Sequence, residues 1–145
     1  MMFSDRFDVT LGEFNQEYFD GLPDADKIVA PALGQEEFYH TVYVEGQPIG
    51  VAGIIPSRKL SDTAFPQIVL ASDWRGKGLI GPIYEKLADW HDLRTLYATI
   101  EKTNKSSQLA HEKIGFKLLP EEKLTDLRKR DLLGEDKVRF EKEVF

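Results

Sequence analysis

The sequence predicts a mixed α/β domain, and three observations carry that reading. Between residues 38 and 71 the apolar residues fall into short alternations and blocks of strand length, broken by glycine and polar residues. At 74–82 the segment WRGKGLIGP leads into a helical stripe in which Ile83, Leu87 and Trp90 recur at i, i+4 and i+7. Beyond residue 95, strand-like and helix-like segments alternate to the last residue.

The elements follow in order. Phe7 to Leu11 reads as a short strand and Glu13 to Asp20 as a helix, with a Gly/Pro-punctuated connection from Gly21 to Gly34. Phe38, His40, Val42 and Val44 alternate with Tyr39, Thr41, Tyr43 and Glu45, and Gly46-Gln47 separates this run from Ile49 to Ile55, predicting a hairpin. A polar loop, Ser57 to Asp62, precedes a strand at Pro66 to Ala71. Tyr84 and Ala88 flank the stripe of the next helix, and Pro82 suits a first helical turn, where the N–H it lacks would have no partner. Leu96 to Ile100 is a strand. The following helix has both ends written in the sequence: Asn104 can cap its start, and Gly115 can take the left-handed conformation that closes it, with Phe116 packing back. Phe116 to Leu119 is a strand, Glu121 to Leu133 a charged helix, and Lys137 to Val144 a final strand.

At 145 residues, without an internal repeat or a Pro/Ser linker, the chain is expected to form one domain over 1–145. There are no cysteines, which excludes disulfides, thiolate nucleophiles and thiolate metal sites, and with three histidines no metal site is expected. The opening MMFSDRFDVT has no basic leader or apolar run, and no stretch has the length of a membrane span, so a cytoplasmic protein is expected. The net charge of −6 argues against nucleic acid and anionic membranes as partners. That charge is regional, since residues 1–40 hold nine acids and two bases while 41–145 hold sixteen acids and seventeen bases. The basic run Leu127-Arg128-Lys129-Arg130 lies among acids and reads as a solvated helix face.

Gly76, Gly78 and Gly81 fit G-x-G-x-x-G between a strand and a helix, with Glu101 closing the next strand, as in a dinucleotide fingerprint. The context differs, because Asp73, Trp74 and Arg75 separate the strand from the first glycine, and Arg75 and Lys77 put two cations at the turn. A nucleotide-hydrolase phosphate loop requires lysine where Pro82 stands. Common to these motifs is a row of backbone N–H groups at a helix N-terminus, suited to a phosphate. The alternative is an ordinary tight turn with solvated cations.

RGKG at 75–78, taken with the helix ending EKIGF, resembles the GNAT superfamily of N-acetyltransferases over about Phe65 to Leu119. The family's first signature, Arg/Gln-x-x-Gly-x-Gly/Ala, is matched by Arg75, Gly76, Lys77, Gly78 and Leu79, but Ile80 stands at the last small position and Gly81 follows one step later. The second, an Asn and a helix ending Tyr-Glu-Lys-Leu-Gly-Phe, is matched by Asn104 and by His111 to Phe116, with histidine in place of the frequent tyrosine. The resemblance implies a mostly antiparallel central sheet flanked by helices, with acetyl-CoA as cosubstrate. It implies that the amides of residues 76–81 hold the pyrophosphate, that Asn104 meets the pantetheine arm, and that Leu70 and Ala71 receive the thioester. It further implies direct attack by an amine, which needs a base, a polarised carbonyl and a proton for the departing thiolate.

Glu101 is the first candidate base, followed by His40 and Tyr43. The strand Pro66 to Ala71 contains no carboxylate, so a water-relayed transfer stands beside them. His111 is the candidate that protonates or hydrogen-bonds the thiolate, and His91 is read as structural or solvated. Lys102, Lys105 and Lys113 can add positive field. Asn104-Lys105-Ser106 also matches a glycosylation acceptor, and the helix cap is the preferred reading. The expected acceptor is a small-molecule or peptide amine; the acidic first forty residues favour a cationic one. Exposed strand edges offer a route to a homodimer. The competing functional class is a non-catalytic acyl-CoA-binding or regulatory module of the same fold.

Overall fold

The computed structural model describes residues 7–28, 35–57, 60 and 62–144, and it divides into two compact units, Met1–Leu93 and Arg94–Phe145. The expected connection from Gly21 to Gly34 and the polar loop from Ser57 to Asp62 lie partly outside the described residues.

The first unit contains β1 (Val9–Leu11), α1 (Gln16–Asp20), β2 (Tyr39–Val44), β3 (Gln47–Pro56), β4 (Thr63–Leu70) and α2 (Ile80–Trp90). Its strands lie in the order β1-β2-β3-β4, each antiparallel to the next. The β2–β3 turn is made by Glu45 and Gly46, both at positive φ (51° and 79°), as a two-residue hairpin matching the strand twist requires. Gln47, expected in that turn, already pairs with Val44. α1 begins later than the hydrophobic pattern predicts, because Asn15 Oδ1 accepts the Tyr18 N–H at 3.1 Å while the Asn15 N–H is held by Thr41 Oγ1 at 3.0 Å. That cap fixes the start.

Helices cover both faces of this sheet. On one, Phe19 and Leu22 pack with Tyr39, Val51 and Val69. α2 packs on β1, β3 and β4, burying Gly81, Ile83, Tyr84, Leu87 and Ala88. Tyr39 through Val42 are therefore all buried, although their alternation alone is compatible with one wet face. Trp90 corrects the predicted stripe: it is 57% exposed, because as the last residue of α2 it lies over the end of the sheet with its ring 4.6 Å from that of His40.

The second unit contains β5 (Thr95–Glu101), α3 (Lys105–Lys113), β6 (Lys117–Leu118), α4 (Glu121–Lys129) and β7 (Lys137–Glu143). Its strands lie in the order β5-β7-β6, again antiparallel, around Leu96, Leu124 and Phe140. α4 stops short of the expected Leu133, because Asp131 turns into the left-handed region (φ 60°) and the Leu132 N–H returns to the Leu127 carbonyl at 2.9 Å. Arg128 of the basic run is turned inward, donating from Nη2 to the Lys137 carbonyl at 2.8 Å.

Candidate functional site

The glycine segment folds as a strand-to-helix turn. After β4 a single 3₁₀ turn, Ser72–Trp74, leads to Arg75, whose Nε donates to the Leu70 carbonyl at 3.1 Å and whose Nη2 pairs with Asp24. Arg75 is thus a tie between the end of β4 and the segment after α1. Lys77 is exposed.

Gly76 and Gly78 both have positive φ (71° and 75°), and a Cβ at either would meet nothing within 4 Å. These glycines are needed for backbone conformation rather than for space. Leu79, at the N-cap of α2, is buried and supplies no capping side chain. Ile80 and Gly81 are the first two helical residues, so the irregular turn ends at Leu79, and Pro82 falls within the first helical turn. Among the described residues, the amides from Gly76 to Gly81 meet no acceptor. Two left-handed glycines before an uncapped 11-residue helix leave backbone donors at the positive end of the helix dipole, an arrangement suited to an anion.

Ala71 N–H bonds the Ile49 carbonyl at 2.8 Å and Val69 is opposite Val51. The antiparallel alternation then points the N–H groups of Ile68 and Leu70 away from β3.

In the second unit, Asn104 caps α3: Oδ1 accepts from Ser107 N–H and from Ser106 Oγ, each at 3.1 Å. Glu101, at the end of β5, is exposed and pairs with Lys137 Nζ at 3.4 Å. His111 is buried in the last turn of α3, its Nδ1–H donating to the Ser107 carbonyl at 2.8 Å and its ring meeting that of Phe116 edge-on at 5.2 Å. Burial, partly opposed by the bond to Ser107, holds its pKa below the ordinary histidine value. Gly115 takes φ 103° and Phe116 N–H returns to the His111 carbonyl at 3.0 Å, so the predicted helix closure is present.

The remaining candidates lie elsewhere. Tyr43 lines a cavity of about 600 Å³ with Glu13, Phe14, Asn15, Gln16 and Glu17. His40 lies at the opposite end of α2 from the glycine turn, and His91 is not a solvated helix-end residue: the two Nε2 atoms are 2.8 Å apart. Burial first, then the neighbouring His40, lowers His91 to about 4. Sequence reading misses this pair because its members are 51 positions apart and no local pattern links them. Among the described residues no cluster of three or more His, Asp or Glu is placed to hold a metal, and no helix is long and apolar enough to cross a membrane.

The sequence profile of the acetyltransferase (GNAT) family matches residues 5–116, spanning both the glycine turn and the Asn104–Phe116 segment that contains α3. The chain belongs to the GNAT acetyltransferase family. Solved GNAT structures share its fold. The Campylobacter jejuni N-acetyltransferase PseH in complex with acetyl coenzyme A is 15% identical, covers 93% of this chain and 98% of its own, and has a TM-score of 0.63. A mutant of the Vibrio cholerae spermidine N-acetyltransferase SpeG is 17% identical, covers 94% of each chain, and has a TM-score of 0.65. Neisseria gonorrhoeae N-acetylglutamate synthase, complexed with coenzyme A and N-acetyl-glutamate, is 16% identical over 95% of this chain and 35% of its own, with a TM-score of 0.60. No curated protein matches the chain. Membership and the mixed, mostly antiparallel α/β fold agree with the resemblance drawn from RGKG and EKIGF.

Proposed function

We propose that this GNAT protein is a single-domain enzyme that transfers the acetyl group of acetyl-CoA to an amine, by direct attack within a ternary complex. The observation that carries the proposal is the row of amides from Gly76 to Gly81, at the start of α2, that meet no acceptor among the described residues. Those amides would hold the pyrophosphate, Lys77 would add charge, and Arg75 would keep the turn in place through Asp24 and the Leu70 carbonyl. The thioester would lie along Leu70 and Ala71, with a β4 N–H that points away from β3 polarising its carbonyl. A preorganised donor of this type contributes a few kcal/mol. Asn104, its Oδ1 occupied by the cap, would offer its amide nitrogen to the pantetheine arm.

The amine nitrogen bonds to the thioester carbon, the C–S bond breaks, and the CoA thiolate leaves. One proton goes from the amine to a base and another reaches the thiolate. Glu101 is proposed as the base, directly or through a water. His111 is proposed as the group that meets the thiolate. With Nδ1–H committed to Ser107, the second proton of its acid form sits on Nε2, the atom that would donate. Since its pKa lies below the ordinary value, acid catalysis by His111 predicts a rate that rises as pH falls through and below about 6.5. Replacement by His111→Phe should abolish that rise; an unchanged turnover number across pH removes His111 from the mechanism.

The acceptor we propose is a cationic small-molecule or peptide amine, supported by Glu13 and Glu17 at the aromatic-lined cavity beside Tyr43. A cytoplasmic location and a homodimer formed through strand edges complete the reading. The principal test is thermal-shift titration with acetyl-CoA against NAD and ATP at matched concentrations. Saturation at about one hundred times the dissociation constant adds roughly 2.7 kcal/mol, a readily measured shift. Absence of a shift with acetyl-CoA would overturn the site assignment.

A second reading has its own support: β4, TAFPQIVL, lacks a carboxylate, and Glu101 is paired with Lys137. Saturable acetyl-CoA binding without transfer to a broad amine panel would make the protein a non-catalytic acyl-CoA-binding module.

A further inference from the structure

The contact between His40 and His91 is left unused by the proposed chemistry. His40 is 2% exposed on β2, with Nδ1 3.1 Å from the Gly12 carbonyl and Nε2 2.8 Å from His91 Nε2. A carbonyl only accepts, so His40 carries its proton on Nδ1 and presents a lone pair at Nε2. The contact at 2.8 Å then requires the N–H on His91 Nε2. With the nitrogens this close and the ring centroids 5.0 Å apart, the rings meet nearly end to end, the geometry of a hydrogen bond rather than of two ligands converging on a metal. Trp90 packs on His40, and Phe38 lies against His91 with centroids 6.1 Å apart, so the pair has an aromatic jacket.

We propose that His40 and His91 form an acid-sensitive latch that fastens the C-terminal end of α2 to β2 and, through Gly12, to the segment leading into α1. One added proton can enter at His91 Nδ1 with the central bond intact. A second has to enter at His40 Nε2, which places two N–H groups against each other and opens the latch. The charged residues on the surrounding elements are Asp89 and Asp92 at the end of α2, Glu36 and Glu37 before β2, and Glu13 after Gly12. No carboxylate is among the causes of either ring's shift: burial acts on both, the Gly12 bond partly opposes it on His40, and His91 feels His40. The pair therefore takes up protons less readily in the folded state than in the unfolded chain, and acid works against it.

The test is made on the full chain. Long-range ¹H–¹⁵N correlation of the histidine rings at neutral pH should show the proton of His40 on Nδ1 and that of His91 on Nε2. On acidification both rings should titrate below the ordinary value of about 6.5, His91 near 4. In His91→Gln the amide can still donate to His40 but does not titrate. Its melting temperature should drop less than that of the parent between pH 7 and 4.5, by about 4 °C for each pKa unit of depression removed. His111→Gln should leave the titration of His40 and His91 unaltered. The opposite His40 tautomer, or a His91 that titrates near 6.5 independently of His40, overturns the latch. The spectra of the parent protein decide this even if a variant fails to fold.

Discussion

The starts of α2 and α3 show the same chemical problem solved in opposite ways. Both helices follow a strand and expose first-turn amides with no intrahelical acceptor. At α3, Asn104 accepts the Ser107 N–H, and Gln108 Nε2 bonds the carbonyls of Glu101 and Lys102 at 3.1 and 3.0 Å, closing the connection from β5. At α2, the N-cap residue is a buried leucine and two glycines hold left-handed backbone, so the donors have no acceptor among the described residues. A side-chain cap there would contribute about 1 kcal/mol to stability. Its omission is the strongest local indication that the acceptor for these amides is a ligand.

The sharpest way to break the contrast is to close the open end. Aspartate tolerates the left-handed region, and a side chain at Gly78 has free space around it. Gly78→Asp should place a carboxylate before the amides, acting as an internal anion and repelling phosphate. Acetyl-CoA affinity should fall about 100-fold, close to 2.7 kcal/mol, while the melting temperature stays within a few degrees of the parent. Calorimetric titration beside a melt checks both. Unchanged affinity would mean that the turn is an ordinary strand-to-helix connection.

The C-terminal ends of the two helices are alike where the starts differ. His91 follows α2 and His111 lies in the last turn of α3, positions where the helix dipole alone would favour the charged ring. Burial outweighs the dipole at both, and His40, His91 and His111 all stand below the ordinary value. In the unfolded chain each takes a proton near 6.5, before its folded counterpart does. Stability is thus fully present above that pH and is lost progressively as pH falls towards about 4, the value for His91. Melts recorded from pH 8 to 4 should slope down by several degrees below 6.5, and a flat profile would remove the linkage.

Opening the closed end is the converse test. Asn104→Ala removes the acceptor for Ser107 N–H and should cost about 1 kcal/mol, lowering the melting temperature by about 4 °C. Asn104→Asp keeps a cap and should restore most of the loss. If aspartate restores stability but acetyl-CoA binding stays weak, the side-chain amide of Asn104 acts on the ligand as well as on the helix.

What was legible in the sequence follows the range of the interaction. Asn104 and Gly115 announce both ends of α3 because caps act over three or four residues, and the glycine turn is legible because left-handed backbone has a preferred residue. Trp90 was misplaced because a helical period gives the face of a residue but not whether the sheet extends beneath it. The Arg75–Asp24 tie and the His40–His91 contact each join positions 51 apart, and only the fold brings them together. Candidate chemistry is similarly divided: the proposed anion turn is encoded locally, whereas the proposed base and acid depend on what surrounds Glu101 and His111.

The smallest structural effect is expected at Glu101, and it bears most directly on activity. Glu101 is exposed, and its contact with Lys137 Nζ is shared with Asp136, at 3.2 Å. Because an exposed pair in water contributes little and Asp136 still holds the lysine, Glu101→Gln should leave the melting temperature unmoved. Any change in acetyl transfer is then chemical rather than structural. A base at this position predicts a turnover number that falls while acetyl-CoA affinity holds, with partial recovery at higher pH as more of the amine acceptor loses its proton without help. Equal turnover in the two proteins would remove Glu101 from the reaction and leave proton removal to water.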